Sequence, residues 1–327
     1  MFSFTGPRPL LTVITLLFGL HFAFAQSIPN GVTERQLRIG QGEWAVDATL
    51  TLPSGKGPFP AVLLVPGSGM TDRDVTIGRN KIFRDLAWGF ASRGIVSLRV
   101  EKRLAQFADK FRAQHILPSL RTEFIDDAIT AARQLQKMPE VDPKRVYVLG
   151  HSQGATFAPQ IANEAGGIAG VIILAGSTRK PGEMIEEQVA HVLAQPNISE
   201  VERKGANQAL ALAKQLKDLP ADDNTFVGGM PASYWRYFYT YDAAAEATKV
   251  KGRVLVIQNG RDYEVTEADF AGWKKSLTGR PNVTMKVYPK LNHVLQEGTG
   301  PSTPEEYEKL GGASPELIAD VAMWLLQ

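Results

Sequence analysis

Short apolar runs alternate with amphipathic segments along most of the chain. Residues 61–65 and 171–176 are continuous apolar runs, which are typical of strands buried on both faces of a sheet. Residues 81–93 and 124–138 instead repeat apolar side chains at helical spacing,. Strands that alternate with helices in this way predict an α/β fold, with a mostly parallel central sheet and helices on both faces.

Further strand patterns lie near the two ends of the chain. Residues 36–40 and 44–52 alternate apolar and polar side chains on either side of Gly42, which predicts an antiparallel hairpin at a sheet edge. Residues 253–258 and 283–288 are the last two runs that resemble buried strands.

The segment 177–249 contains no strand pattern. It predicts three helices, at residues 184–194, 199–216 and 232–247,. A single crossover between parallel strands does not need so many residues. We therefore expect a helical cap at residues 177–249, part of which could move as a lid, inserted into an α/β core formed by residues 26–176 and 250–327.

The N-terminal residues resemble an export signal. Residues 10–25 are apolar and contain no Asp, Glu, Lys or Arg, Arg8 precedes them, and Ala23-Phe-Ala25 offers a small-x-small cleavage pattern,. A membrane anchor is the alternative, but the stretch is slightly short to span a bilayer. We expect cleavage after residue 25, export to the periplasm or the medium, and no stable membrane insertion of the mature protein.

Composition narrows the chemistry. The 36 Lys and Arg residues nearly balance the 34 Asp and Glu residues, for a net charge of +2, and no charged run stands out, so we expect no nucleic-acid partner. The absence of cysteine excludes disulfides, a cysteine nucleophile and thiolate metal sites,. Because His, Asp and Glu residues also lack metal-ligand spacing, we expect no metal and no cofactor.

A serine motif lies at the end of one apolar run. Residues 146–149 lead into Gly150-His-Ser152-Gln-Gly154, and a helix-like segment follows at residues 156–165. A serine at such a strand-to-helix turn projects its Oγ above the carboxyl edge of the sheet, while a side chain at Gly150 or Gly154 would crowd its neighbours. A chance match is the alternative, but the flanking strand and helix favour Ser152 as a nucleophile.

A glycine-rich turn supplies a second candidate feature. Residues 66–70, Pro-Gly-Ser-Gly-Met, directly follow the apolar run 61–65, so their N–H groups can point into the space above Ser152. A phosphate-binding loop is an alternative, although its Lys and Ser/Thr are missing, and a plain structural turn is another. We expect oxyanion-stabilising N–H groups from Gln153, Ser68 and Gly69, with Met70 and His151 lining the substrate pocket.

Only one histidine is well placed to act as a base. The chain has five, His21, His115, His151, His191 and His293, and only His293 follows a late strand in a loop with small and polar neighbours. On a Gly-x-Ser-x-Gly turn the partners follow the serine in the order acid, then histidine. Asp262, at the end of the penultimate strand, is the favoured acid and Glu264 is the fallback. Asp269 falls on a helix and is expected to be solvated.

Together, these motifs resemble those of the serine α/β-hydrolase superfamily. The matching segments are Gly150–Gly154, Gly260-Arg-Asp262-x-x-Val265 and Asn292-His293. Residues 66–69 followed by Asp-Arg-Asp at 72–74, with Ser-Tyr-Trp at 233–235 before Tyr-Asp at 241–242, are similar to the cap-bearing carboxylesterases often labelled dienelactone-hydrolase-like. The resemblance implies an α/β-hydrolase fold and hydrolysis of small-molecule carboxylic esters, with Ser152, Asp262 and His293 as the triad.

The chain departs from that group at two points. Dienelactone hydrolases proper use a cysteine nucleophile, which this chain cannot supply, so their substrate is not carried over. Related esterases tend to have Asp-x-Arg-Gly after the strand that ends at Val100, whereas this chain has Glu101-Lys-Arg-Leu104. A peptidase of the same fold and a non-catalytic binding protein on a hydrolase scaffold remain alternatives.

The predicted cap carries the densest aromatic stretch, at residues 233–241. Its helical spacing places several rings on one face, which is compatible with packing of the cap onto the core. The functional alternative is that this face roofs an acyl pocket for small or medium acyl groups. Under that alternative the pocket residues are Tyr234, Trp235 and Phe238.

Overall fold

The computed structural model describes residues 27–327, so the predicted export signal lies outside the described residues. Within them, the strands are β1 (Val32–Ile39), β2 (Val46–Pro53), β3 (Phe59–Val65), β4 (Thr76–Ile77), β5 (Asn80–Lys81), β6 (Val96–Val100), β7 (Val141–His151), β8 (Gly170–Leu174), β9 (Phe226–Val227), β10 (Met230–Pro231), β11 (Arg253–Asn259) and β12 (Val283–Tyr288).

Helices separate most of these strands. They are α1 (Ile82–Ala91), α2 (Arg103–Gln106), α3 (Ala108–Ala113), α4 (Asp126–Leu135), α5 (Gln153–Ala165), α6 (Pro181–Leu193), α7 (Glu200–Lys217), α8 (Ala232–Thr240), α9 (Ala243–Thr248), α10 (Glu267–Leu277), α11 (Pro304–Glu308) and α12 (Pro315–Leu326). A 3₁₀ turn at Gly42–Trp44 joins β1 to β2, and a π-helical turn at Arg121–Ile125 precedes α4.

Eight strands form one sheet in the order β1-β2-β6-β3-β7-β8-β11-β12. The β1–β2 and β2–β6 pairs are antiparallel, and the pairs from β6 to β12 are parallel. The hairpin lies at one edge, as its alternating pattern predicted. The sheet confirms the predicted α/β fold.

Successive side chains of a strand point to opposite faces of the sheet. Each face packs against its own set of helices. Ala61, Leu63 and Val65 of β3 pack in a cluster that also contains residues of α4, α5 and α10. Val62 and Leu64 face the opposite cluster, which contains residues of α1 and α12. Both faces of the central strands are therefore packed with apolar side chains.

The segment between β8 and β11 holds α6 to α9 and the small β9–β10 pair. The helix predicted at residues 232–247 is two helices, a difference from the sequence prediction. The chain leaves α8 at Tyr241, and the Asp242 carboxylate accepts a hydrogen bond from the Ala245 N–H at 2.9 Å. This N-cap starts α9 as a separate helix. Within residues 27–327, no helix combines the length and apolar character needed to cross a bilayer.

Candidate active site

Ser152 occupies the sharp turn between β7 and α5. Its backbone has φ 56° and ψ −125°, a left-handed conformation that is costly for a serine and is held only by the surrounding structure,. A Cβ on Gly150 would lie 2.2 Å from the Gly154 carbonyl oxygen, and a Cβ on Gly154 would lie 2.2 Å from the Val65 oxygen. Both positions therefore require glycine for the turn to close.

His293 and Asp262 form a buried pair. The imidazole Nδ1 lies 2.7 Å from Asp262 Oδ2, and both side chains are almost fully buried. The other carboxylate oxygen, Oδ1, accepts the N–H groups of Glu264 and Val265 at 2.8 and 3.0 Å. These bonds fix the carboxylate, and it fixes the imidazole. Nε2 is left as the nitrogen that can take a proton from a nucleophile.

A cavity of about 110 Å³ brings the nucleophile and the base together. Its lining residues are Gly67, Ser68, Thr71, Val75, Ile77, His151, Ser152, Glu264, His293, Val294 and Tyr307. Sequence reasoning missed Val75, Ile77, Val294 and Tyr307, which carry no motif and reach the cavity only through the fold.

A second carboxylate lies beside the imidazole. Glu264 Oε2 is 3.7 Å from His293 Nε2, on the opposite side of the ring from Asp262. Burial by itself lowers the pKa of His293, but the negative charges of Asp262 and Glu264 outweigh it and raise that pKa to about 9,. Glu264, the fallback acid in the sequence, thus acts on the other ring nitrogen.

His151 supports the loop that carries His293. Burial lowers the pKa of His151 to about 3, so its imidazole is neutral,. Its Nε2 lies 2.9 Å from the His293 carbonyl oxygen, which makes Nε2–H the donor, and the two rings are 4.7 Å apart. His151 also lines the cavity.

The glycine-rich turn approaches Ser152 closely. A Cβ on Gly67 would lie 2.9 Å from Ser152 Cβ. Across the described part of the chain, the N–H groups of Ser68, Gly69 and Gln153 make no hydrogen bond to a backbone carbonyl outside regular helices and strands. These three groups can therefore still be offered to a developing oxyanion.

The aromatic residues assigned to the pocket do not line this cavity, so that expectation needs correction. Phe238 packs against Phe157 of α5 at 5.2 Å, and the Trp235 indole donates to the Val227 carbonyl at 2.8 Å. Tyr234 is buried and donates its hydroxyl to Glu123 at 2.8 Å. The aromatic residues at helical spacing in α8 therefore pack against the protein core and not against the cavity. Met70, also placed in the pocket, is 58% exposed and lies outside the lining.

The expectation for Asp269 was also wrong. Its carboxylate is fully buried and accepts hydrogen bonds from the Thr178 N–H at 3.0 Å and from Arg179 Nη2 at 2.8 Å. It also closes a capping box with Thr266 at the start of α10. Partners 90 residues or more away leave no signal in the local pattern, although Thr266-x-x-Asp269 was a readable capping box.

Comparison with known proteins identifies the family of this chain. A family model described as serine aminopeptidase, S33, matches residues 114–298. Esterase EstD of Thermotoga maritima is 40% identical over 301 residues, which cover 91% of this chain and 69% of that protein.

Solved structures share the fold at low sequence identity. Est1E from Butyrivibrio proteoclasticus aligns with a TM-score of 0.55 and 16% identity, over 89% of this chain and 97% of that one. Acetyl xylan esterase 1 from Thermoanaerobacterium sp. aligns with a TM-score of 0.52 and 15% identity, over 90% and 88%. The chain belongs to the α/β-hydrolase superfamily, in the serine hydrolase family that the matching model describes.

Proposed function

We propose that this protein hydrolyses carboxylic esters of small molecules through an acyl-enzyme on Ser152. The observation that carries the proposal is the placement of Ser152, on its strained turn, in one cavity with the His293–Asp262 pair. The esterase relative, 40% identical over most of the chain, supports the ester as the bond that is cleaved.

Each group then has one role in the reaction. His293 Nε2 takes the proton of Ser152 Oγ as the oxygen attacks the acyl carbon, and Asp262 stabilises the imidazolium. The N–H groups of Gln153 and of Ser68 or Gly69 stabilise the oxyanion. The imidazolium gives its proton to the leaving alkoxide. A water molecule, deprotonated by His293, then releases the carboxylic acid and restores Ser152.

The cavity favours small or medium acyl groups. Its volume is about 110 Å³, and Val75, Ile77 and Val294 form apolar parts of its wall. Apolar walls bind an acyl chain and exclude water, while the polar groups beside Ser152 orient the ester.

A second candidate is an aminopeptidase of the same fold. The observation that favours it is the Glu264 carboxylate, which lines the cavity close to His293 and could pair with the free amine of a peptide. The same catalytic groups would serve an amide, so the two candidates differ in the substrate and not in the machinery.

One panel of substrates separates the candidates. Purified wild-type protein and Ser152→Ala are assayed with p-nitrophenyl acetate, butyrate and octanoate and with aminoacyl p-nitroanilides. The proposal predicts hydrolysis of the short esters, little turnover of the anilides, and a loss of more than about 10³-fold in Ser152→Ala. Anilide turnover that matches ester turnover would favour the aminopeptidase, and equal activity in Ser152→Ala would exclude both.

We also propose export of the protein. The apolar stretch 10–25 after Arg8 and the Ala23-Phe-Ala25 pattern support it,. N-terminal sequencing of protein recovered from the periplasm or medium of an expressing bacterium should begin at Gln26. Protein that retains residues 1–25 and stays in the cytoplasm would contradict export.

A further inference from the structure

A buried lysine holds the glycine-rich turn. The Lys102 side chain is 1% exposed, and its Nζ donates to the Gly69 carbonyl oxygen at 3.0 Å and to Glu123 Oε1 at 2.8 Å. The ammonium also lies 5.3 Å from the centre of the Phe124 ring, within reach of a cation–π interaction. The ion pair is therefore attached directly to the loop that carries Ser68 and Gly69.

The same carboxylate continues the chain of bonds toward the nucleophile. Glu123 Oε2 accepts the Tyr234 hydroxyl at 2.8 Å, and Gln153 Nε2 donates to that hydroxyl oxygen at 3.3 Å. Tyr234 belongs to α8, and Gln153 is the residue that follows Ser152. One continuous run of buried or partly buried hydrogen bonds thus joins Gly69 to Gln153.

Stability alone is a weak reason for this arrangement. A buried ion pair loses the hydration of both charges, and apolar residues of similar volume are often as stable or more so. Glu123 also lies in the π-helical turn Arg121–Ile125, a departure from the α-helix that is frequent at functional sites. The π-helical turn and the buried ion pair are therefore both linked by hydrogen bonds to the two segments that carry the candidate oxyanion donors.

We infer that Lys102, Glu123 and Tyr234 are positioning residues that hold both candidate oxyanion donors, the turn at Ser68–Gly69 and the residue Gln153, in place above Ser152. The inference rests on the proposed function, because it assigns these residues to transition-state stabilisation. It also gives a role to Lys102 in the stretch where the sequence departs from related esterases. Through Tyr234, the inserted helix α8 contributes to the geometry of the site without touching the substrate.

The test uses variants that avoid an unpaired buried charge. Lys102→Met alone would leave Glu123 buried and without its partner, so the double variant Lys102→Met/Glu123→Gln is used, in which both charges are absent. Tyr234→Phe removes only the hydroxyl that links Glu123 to Gln153. The matched control is Tyr237→Phe, on the same helix, whose hydroxyl accepts from Gln160 at 2.6 Å away from the oxyanion donors.

Five quantities are measured: kcat and KM with p-nitrophenyl acetate, the rate constant of inactivation by a fluorophosphonate, the Ki of a trifluoromethyl ketone, and the thermal midpoint. Removal of an oxyanion donor costs about 10²–10³ in kcat, so loosening its support should cost about tenfold. The prediction is that Tyr234→Phe and the double variant lose about this factor in kcat, fluorophosphonate rate and ketone affinity. KM should change less than twofold, and Tyr237→Phe should match the wild type.

The outcomes separate this inference from the proposed function. Wild-type protein that reacts with fluorophosphonate but hydrolyses no ester would contradict the ester substrate, while the inactivation rates of the variants would still test the positioning role. The inference is overturned if Tyr234→Phe and the double variant keep wild-type kcat and ketone affinity. It is also overturned if their losses equal that of Tyr237→Phe and follow the thermal midpoint, which is the result for simple packing. Wild-type protein that fails to react with fluorophosphonate overturns both proposals.

Discussion

At the scale of single residues, two carboxylates share one imidazole. Asp262 binds Nδ1 of His293 at 2.7 Å, and Glu264 lies 3.7 Å from Nε2. Asp262 is fixed by two backbone N–H groups, whereas the Glu264 side chain is 30% exposed. Both charges favour the imidazolium, so they stabilise the protonated intermediate of the reaction and raise the pH at which the resting base loses its proton,.

The first prediction concerns the pH dependence of kcat/KM. Because the pKa of His293 is raised to about 9 and only the neutral imidazole accepts the Ser152 proton, kcat/KM should rise with pH through about 9,. Glu264→Gln removes one of the charges that raise this pKa, so its profile should shift to lower pH. The measurement is kcat/KM for a neutral ester across neutral and alkaline pH.

The control for this prediction is Glu267→Gln. Glu267 is exposed at the start of α10 and pairs with Lys274, away from His293. Its profile should coincide with that of the wild type. An unchanged profile in Glu264→Gln, or an equal shift in Glu267→Gln, would remove Glu264 from the electrostatics of the base.

The sequence allows prediction of site residues that are marked by their immediate neighbours in the chain. Ser152 carries its motif and its flanking strand and helix, and His293 follows from the position of a loop. Asp269 and Lys102 could not be assigned in this way, since their partners lie in distant segments. A buried charge is recognised only when the fold brings its counter-charge to it.

At the scale of elements, the helices between β8 and β11 fall into two kinds. α8 and α9 pack on α5 and share the core beneath the sheet; Tyr241, at the C-terminal end of α8, stacks on Phe157 at 4.5 Å. α7 buries only Ala206, Ala213 and Leu216 of its 18 residues. α6 is tied to the core by polar contacts, such as Gln188 Nε2 to the Glu264 carbonyl at 3.0 Å.

The second prediction concerns hydrogen exchange in these helices. Regions with few buried apolar contacts open at lower free energy than core elements. Backbone amides of α7 should therefore exchange faster than those of α8, as measured by mass spectrometry of peptides from the native protein. Slower exchange in α7 than in α8 would contradict the division of the helices between β8 and β11 into a core pair and a peripheral pair.

The elements themselves were largely predictable because apolar periodicity reports burial directly. Most of the sheet strands and the helices α1 and α4 follow from it within a few residues. The break between α8 and α9 does not, since both sides continue the same helical pattern and only the Asp242 cap separates them. The short helices α2 and α3 were missed, as they are too short to show a period.

At the scale of the whole molecule, the site is assembled from loops that follow separate strands. The turn after β3, the turn after β7 and the loops after β11 and β12 each contribute to one cavity. Tyr307 of α11 adds a wall from the C-terminal part of the chain. The shape of the cavity therefore depends on the complete sheet and on the loops that connect its strands.

The third prediction concerns acyl-chain length. Ile77 lines the cavity, whereas Trp235 packs away from it. Ile77→Ala should raise the ratio of kcat/KM for octanoate to that for acetate by about tenfold, because an apolar pocket discriminates by about that factor for each methylene it can or cannot hold. Trp235→Ala should leave this ratio unchanged. An equal shift in the two variants, or none in Ile77→Ala, would place the acyl pocket elsewhere.

Locating the acyl group during turnover tests directly whether Ser152 is the nucleophile. Wild-type protein is mixed with p-nitrophenyl acetate, quenched in acid within the burst phase and digested for peptide mass spectrometry. If Ser152 is the nucleophile, an acetyl group is expected on the peptide that contains Ser152, at that residue, and no acetylation of the same peptide is expected in Ser152→Ala. An acetyl group on another side chain, or full ester turnover by Ser152→Ala, would contradict this assignment.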